Sequence, residues 1–409
     1  MAMQLSVQKQ AETSPERGQT VRRLKVVYFN YYLGHSGVAA FLSLYLSGLG
    51  LKGYEVGALL AVGPVVGLFV QPLWSVLADK RIGLKGALVA ALLGAAAASL
   101  LLPFGRTFAA LLGLIFAWAF FFNGIDPLIN ALTLEALGSR AGAYGRVRLY
   151  GSFGNAASQL AVGALGQAVH AAAMFLWQAA WLVASVPLIA RSKALNAVPK
   201  AAGFGATWDL RALASNRALL IFLLAAFLSQ TSQVMGWSYF PVYARAYGAG
   251  ALGAGAGLWI AVVSAFPFFY FGERLLQRFG PRRLLIVSSS AYALRWGLLS
   301  VAGGGPAVYA IQLLNGVCYG LYYVAAVAFV HRETPAGLKA TGQGLLSAVH
   351  VSLATICGGL LGGALLETLG VVWIYRVAAV MALLSLVPIT SLGWVRSLKT
   401  SATGPTGVR

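Results

Sequence analysis

The chain has 409 residues, of which 59% are apolar and only 10% charged, with a mean hydropathy of +0.77. A soluble domain carries about a quarter charged residues, so the composition excludes an ordinary water-soluble globule and makes lipid the solvent for most of the surface. The net charge of +20 would suggest nucleic acid in a soluble chain. Here the basic residues sit in short loops between apolar runs, where membrane topology and contact with anionic lipid account for them, so no nucleic-acid partner is expected.

Residues 1–24 form a polar tail without an apolar core, so no cleavable signal peptide is expected and the first span serves as an uncleaved signal. Twelve spans follow, at 25–48, 54–78, 84–104, 108–134, 143–168, 171–190, 217–242, 252–274, 283–302, 306–330, 340–366 and 370–392. Between the sixth and seventh lies the longest loop, 191–216, whose end TWDLRALASN reads as a short surface helix. Residues 393–409 make a second polar tail. The expected fold class is all-α integral membrane: twelve transmembrane helices in two pseudo-symmetric six-helix halves, 25–190 and 217–392.

Orientation follows from the cations. With the N-terminus inside, 25 of the 30 Lys and Arg fall in inside segments. Only Lys52, Arg106 and Arg245 fall outside, and Arg295 and Arg376 lie within spans. The bias predicts a multi-pass protein of the cytoplasmic (inner) membrane with both termini cytoplasmic. Cys318 and Cys357 lie in apolar spans without metal-ligand spacing and read as space-filling residues.

The halves echo one another. LADKRIGLKG follows the second span and RLLQRFGPRR follows the eighth. Placing Gly83 on Gly280 also places Arg81 on Arg278 and Lys85 on Arg282. Each segment predicts a tight turn between antiparallel helices, with cations at headgroup level. Asp79, Arg81, Gly83, Arg278 and Gly280 are candidate gating-loop residues. Glycine-rich runs in spans five (GALGQ) and eleven (GGLLGG) predict close helix crossings. Internal repeats of this sort suit a binding site between halves and a rocking transport cycle.

Asp126 in span four is the sharpest candidate, because a carboxylate within the bilayer needs a cavity or a partner. It reads as a proton acceptor or a partner for a substrate cation; a structural ion pair is the alternative. Pro127 removes a backbone bond beside it. Asn130 lies one turn below on the same face. Arg148 opens span five and reads as a cavity residue, with Asn155 and Gln159 continuing its polar face; a headgroup-facing arginine is the alternative. Arg295 lies too deep in span nine to snorkel easily and is expected to meet an anionic substrate or Asp126. Gln233 and Trp237 in span seven, Asn315 and Tyr319 in span ten, and Tyr31 and His35 in span one complete the candidate lining, with packing as the alternative for each aromatic. No Walker loop, HExxH or dinucleotide fingerprint occurs, so neither an enzyme, a catalytic residue, a metal site nor a cofactor is expected; a proton is the expected coupling ion.

The six-plus-six layout and the loops after spans two and eight resemble the major facilitator superfamily. Within it, YGRVRLYGSFG, Arg295–Trp296 and GQGLLSAV look closest to the group of lactose permease, nucleoside–proton symporters and phenylpropionate permeases. The resemblance puts Arg148 at a sugar-contacting arginine and Asn130 at the position of its partner carboxylate. It puts Asn155 where lactose permease has a galactose-stacking tryptophan, which argues against a galactoside. The family's His-plus-Glu proton site in span ten is missing, which leaves Asp126 as the intramembrane alternative. The implied activity is secondary active transport of a small polar or aromatic organic solute (carboxylate, nucleoside or saccharide) by a monomer, with proton symport. Metabolite or drug efflux is the nearest alternative, and a non-transporting receptor on the same scaffold is the alternative of another class.

Overall fold

The computed structural model describes residues 15–137, 144–192, 215–335 and 338–402, and every regular element in them is helical. Arg140, Lys193, Lys200 and Arg211, the surface helix expected before Asn216, and most of both tails lie outside the described residues. The first half contains α1 (Pro15–Gly48), α2 (Gly53–Leu77), α3 (Gly83–Leu101), α4 (Phe108–Leu137), α5 (Tyr144–Ala168) and α6 (Ala173–Ala190). The second begins with α7 (Arg217–Ser238), α8 (Phe240–Ala246), α9 (Ala251–Ser264) and α10 (Phe266–Tyr270). It continues with α11 (Gly272–Val301), α12 (Pro306–Gln312), α13 (Leu321–Glu333), α14 (Lys339–Ser347), α15 (Ala354–Thr368) and α16 (Val371–Ala402).

Nine segments among the described residues are long and apolar enough to cross a bilayer. One of them, Gly53–Phe104, has 52 residues. As a continuous helix it would be about 78 Å long, against about 30 Å of hydrocarbon. The helical path breaks at Gly83, with φ 69° and ψ 159°. Gly280 breaks α11 in the same way, with φ 71° and ψ 161°. This region of backbone space is open to glycine almost alone, which is why the two loops keep a glycine at this one position.

The chain divides into two compact units. Unit one takes the described residues before 193 together with Gly250–Trp259; unit two takes 215–249 and the described residues from Ile260 on. In unit one, α1 packs on α5 and α6, α2 packs on α4, and α3 packs on α4 and α6. In unit two, α7 packs on α15 and α16, α10 packs on α13, and α11 packs on α13 and α16. The α1–α5 contact is backbone against backbone: a Cβ on Gly154 would lie 2.3 Å from the Phe29 carbonyl oxygen. Small residues permit that approach, and in lipid such packing supplies the attraction that the hydrophobic effect supplies in water.

Several expected single spans are interrupted. α7 gives way to α8 at Tyr239, with Pro241 in the first turn of the new helix; α9 gives way to α10 at Ala265, with Pro267 likewise placed. Proline lacks the N–H that would continue the helix. Wider π turns occupy Ala78–Ile82, Gly316–Gly320 and Ala348–Leu353.

Candidate functional site

In unit one, three polar pairs of i,i+4 spacing converge from three helices: Tyr28 and Tyr32 on α1, Asp126 and Asn130 on α4, Tyr144 and Arg148 on α5. The Arg148 guanidinium donates to the Tyr144 hydroxyl at 3.2 Å. Tyr144 donates to Asn130 Oδ1 at 2.8 Å, and Tyr28 donates to the same oxygen at 2.6 Å. With both lone pairs of that oxygen engaged, the Asn130 amide is fixed in one orientation. Its NH2 donates to Asp126 Oδ2 at 3.2 Å. Tyr32 donates to Asp126 Oδ1 at 3.3 Å. Every donor in the chain points toward the Asp126 carboxylate, so the network is polarised from Arg148 to Asp126. Asp126, Asn130 and Arg148 are all half-buried, whereas Arg146 is exposed. The aspartate–asparagine pairing is foreseeable from spacing. Tyr28, Tyr32 and Tyr144 are missed by sequence reasoning, although each lies four residues from another polar side chain of its own helix.

Asn155 accepts from Gln159 at 3.0 Å and lies about two turns along α5 from Arg148. Tyr31 and His35 belong to an aromatic column with α4. Tyr31 stacks on Phe122 at 5.5 Å, His35 lies 4.1 Å from the same ring, and Trp118 stacks on it at 4.7 Å. His35 Nδ1 lies 3.2 Å from the Gln178 amide nitrogen, whose oxygen accepts from Ser99 at 2.9 Å. An NH2 group only donates, so this contact takes Nδ1 as acceptor and the proton on Nε2.

In unit two, Arg295 is 1% exposed. It donates to Asn315 Oδ1 at 2.6 Å and to Gln312 Oε1, and its guanidinium lies 4.4 Å from the Trp296 ring. Both of these hydrogen-bond acceptors are neutral amides. Asn315 is itself held by the helix break. Ala265 N donates to Val262 O instead of to Ala261 O, and the Ala261 carbonyl accepts from Asn315 Nδ2 at 2.7 Å and from the Ser264 hydroxyl at 2.8 Å. Gly316 lets this kink approach, since a Cβ there would lie 2.2 Å from Ser264 O. Around Arg295 several buried donors lack a hydrogen-bond partner among the described residues: Arg295 Nε, Gln312 Nε2, Tyr292 OH, Ser289 Oγ and Trp296 Nε1. Burying a guanidinium among neutral groups costs several kcal/mol in order of magnitude, and unpaired donors beside it add to that.

Tyr319 lies in the π turn that follows Asn315, and it packs on Phe269 at 6.1 Å and Tyr323 at 6.0 Å. On α7, Gln233 is buried with its Oε1 unpartnered, and Trp237 is half-buried. Asp79 and Arg81 lie in the π turn before Gly83, and Arg278 is exposed two residues before Gly280. The aligned cations that follow do alike work. Lys85 donates to Ser192 O at 3.4 Å, just past α6, and Arg282 donates to Ile389 O at 3.2 Å and to Thr390 O on α16. Lys85 thus sits against a carbonyl just past the end of α6, where the helix dipole favours a cation, whereas Arg282 reaches carbonyls within α16.

Residues 21–377 match the MFS_1 like family. The chain is 30% identical over 354 residues to the maltose permease of Geobacillus stearothermophilus, covering 85% of this chain and 89% of that one. It is 26% identical over 379 residues to the probable 3-phenylpropionic acid transporter of Escherichia coli (strain K12), covering 89% and 97%. A crystal structure of a mutant of the nucleoside transporter NupG superposes with a TM-score of 0.81 at 18% identity, covering 91% of this chain and 98% of that one, which shows a common fold. The chain belongs to the MFS_1 like family and is a membrane-embedded secondary transporter of small organic solutes.

Proposed function

We propose that the protein is a proton-coupled symporter that moves a small polar or aromatic organic solute by alternating access, with Asp126 as the coupling carboxylate. The observation that carries this reading is the hydrogen-bond chain that ends on Asp126. Its partners Tyr32 and Asn130 are neutral, so the carboxylate is free to take up and release a proton without breaking an ion pair with them. The two oxygens differ. Oδ2 faces an amide NH2 whose orientation is locked by Tyr28 and Tyr144, and a proton there would oppose a donor. Oδ1 faces the Tyr32 hydroxyl, which turns to accept. The proton therefore goes to Oδ1, and Tyr32 reverses its hydrogen bond. Arg148, reaching the same chain through Tyr144, is the group that would report solute binding to Asp126.

Twelve spans in two six-helix halves, 25–190 and 217–392, fit this reading. The break at Gly83 makes two crossings of one long apolar segment, and α1 and α5, with 34 and 25 residues, are long enough to add two more. The helix pairings within the two units follow one pattern, and Gly83 and Gly280 share one backbone conformation. We assign the turns around Asp79, Arg81, Gly83, Arg278 and Gly280 to gating. On the cation bias both termini lie in the cytoplasm, and we take the protein to act as a monomer.

Carboxylates, nucleosides and saccharides are the solute classes that the named relatives and the half-buried Arg148 favour. A stabilisation screen of purified protein tests this: the true solute class raises the apparent melting temperature of wild type, and Arg148→Ala loses the shift. A shift that persists in both Arg148→Ala and Asp126→Asn would remove the network from solute binding.

A further inference from the structure

Two cavities of unit two adjoin at Phe279 and Arg283. The first holds about 220 Å3 and is walled by Arg282, Arg283 and Arg332, with Gly280 and Pro281 at the break in α11. None of its lining residues is acidic. Arg282 is committed to the carbonyls of α16. Arg283 and Arg332 are exposed and make no hydrogen bond or ion pair among the described residues. The second cavity holds about 400 Å3 and is a groove of apolar side chains, among them Phe268, Leu275, Ile286, Val287 and Leu321. Val287 is one helical turn beyond Arg283, or about 6 Å along the axis. The cationic end and the apolar end are thus stacked along the helix as a lipid phosphate and the start of its acyl chain are stacked in a leaflet.

We infer that this pair of cavities is a binding site for an anionic phospholipid. Arg283 and Arg332 receive the phosphate, and one acyl chain lies along the groove from Leu275 toward Leu321. Charge selects the headgroup, because arginines and no acidic residue line the first cavity. The groove selects a lipid over a soluble phosphate, which would fill only the first cavity. A zwitterionic lipid would fill the groove and gain less from the arginines. The cation bias of the sequence puts the site in the cytoplasmic leaflet. A headgroup there touches the Gly280 turn and stands beside Arg282, which is bonded to carbonyls within α16. The site therefore links lipid composition to one of the two glycine turns.

The test uses delipidated full-length protein in detergent, titrated separately with phosphatidylglycerol, phosphatidylcholine and inorganic phosphate. Bound lipid is counted by native mass spectrometry, and stability is followed by thermal unfolding. Phosphatidylglycerol should be retained best and should raise the melting temperature most. Arg283→Gln with Arg332→Gln should weaken phosphatidylglycerol by about thirty-fold and leave phosphatidylcholine unchanged. Val287→Trp, which fills the groove with both charges intact, should also weaken it. The charge-retaining pair Arg283→Lys with Arg332→Lys should keep most of the preference. Equal retention of the two lipids by wild type, stabilisation by inorganic phosphate equal to that by phosphatidylglycerol, or binding that ignores both Val287→Trp and the glutamine pair would each overturn the inference.

Discussion

Replacing Asp126 by asparagine removes a charge and keeps the shape. The carboxylate accepts at 3.3 Å from Tyr32 and at 3.2 Å from Asn130. Both distances exceed the roughly 2.7–2.9 Å of a strong charge-assisted bond, so the two contacts are weak ones. The substituted amide would put its oxygen toward the Asn130 NH2, which Tyr28 and Tyr144 hold in place. Its own NH2 would face Tyr32, whose hydroxyl turns to accept. The folding cost is therefore about 1 kcal/mol, and insertion survives. What disappears is the titrating group. With one proton per solute, a potential of about 100 mV supplies about 2.3 kcal/mol, which corresponds to an accumulation of about fifty-fold. In proteoliposomes the variant should fall to simple equilibration, a ratio of about one, while solute exchange across the membrane persists. An Asp126→Asn protein, inserted in normal amount, that still concentrates solute several-fold under an imposed potential would refute this reasoning.

The remaining predictions probe the other contacts. Tyr144→Phe removes the link from Arg148 to Asn130, a bond to a charged donor worth about 1.5–3 kcal/mol; solute KM should rise by about ten-fold or more at normal protein levels. Gly83→Ala and Gly280→Ala each force a Cβ into a backbone region that costs about 1–3 kcal/mol, and thermal unfolding should report the loss in both. Asn315→Leu leaves the buried Arg295 with a single amide partner, Gln312; it should destabilise by about 3–5 kcal/mol. Adding Arg295→Met should restore much of that stability, and failure of the second change to restore it would show that Arg295 is not the source of the cost.

The long apolar runs were legible because lipid leaves no other use for them, and the Asp126–Asn130 pairing because helical spacing alone determines it. The likeness of Gly83 and Gly280 was legible in sequence, and the structure adds the reason: both residues adopt one backbone conformation that other residues avoid. The partners of Asn130 were not legible. They depend on α1 and α5 approaching through Gly154, a tertiary contact that no local pattern encodes. Arg295 shows the same limit. Its depth was readable, but its satisfaction by Asn315 and Gln312 depends on a helix break at Ala265 and a π turn after Asn315, and both are set by packing as much as by Pro267 and Gly316.

Proton movement tests the central claim most directly. Solute added to weakly buffered vesicles containing the wild-type protein, without any imposed gradient, should alkalinise the outside medium as solute enters, with one proton taken up per solute. The Asp126→Asn protein should give no such signal. Solute entry without any pH change in wild type, or an undiminished signal in the variant, would contradict the account.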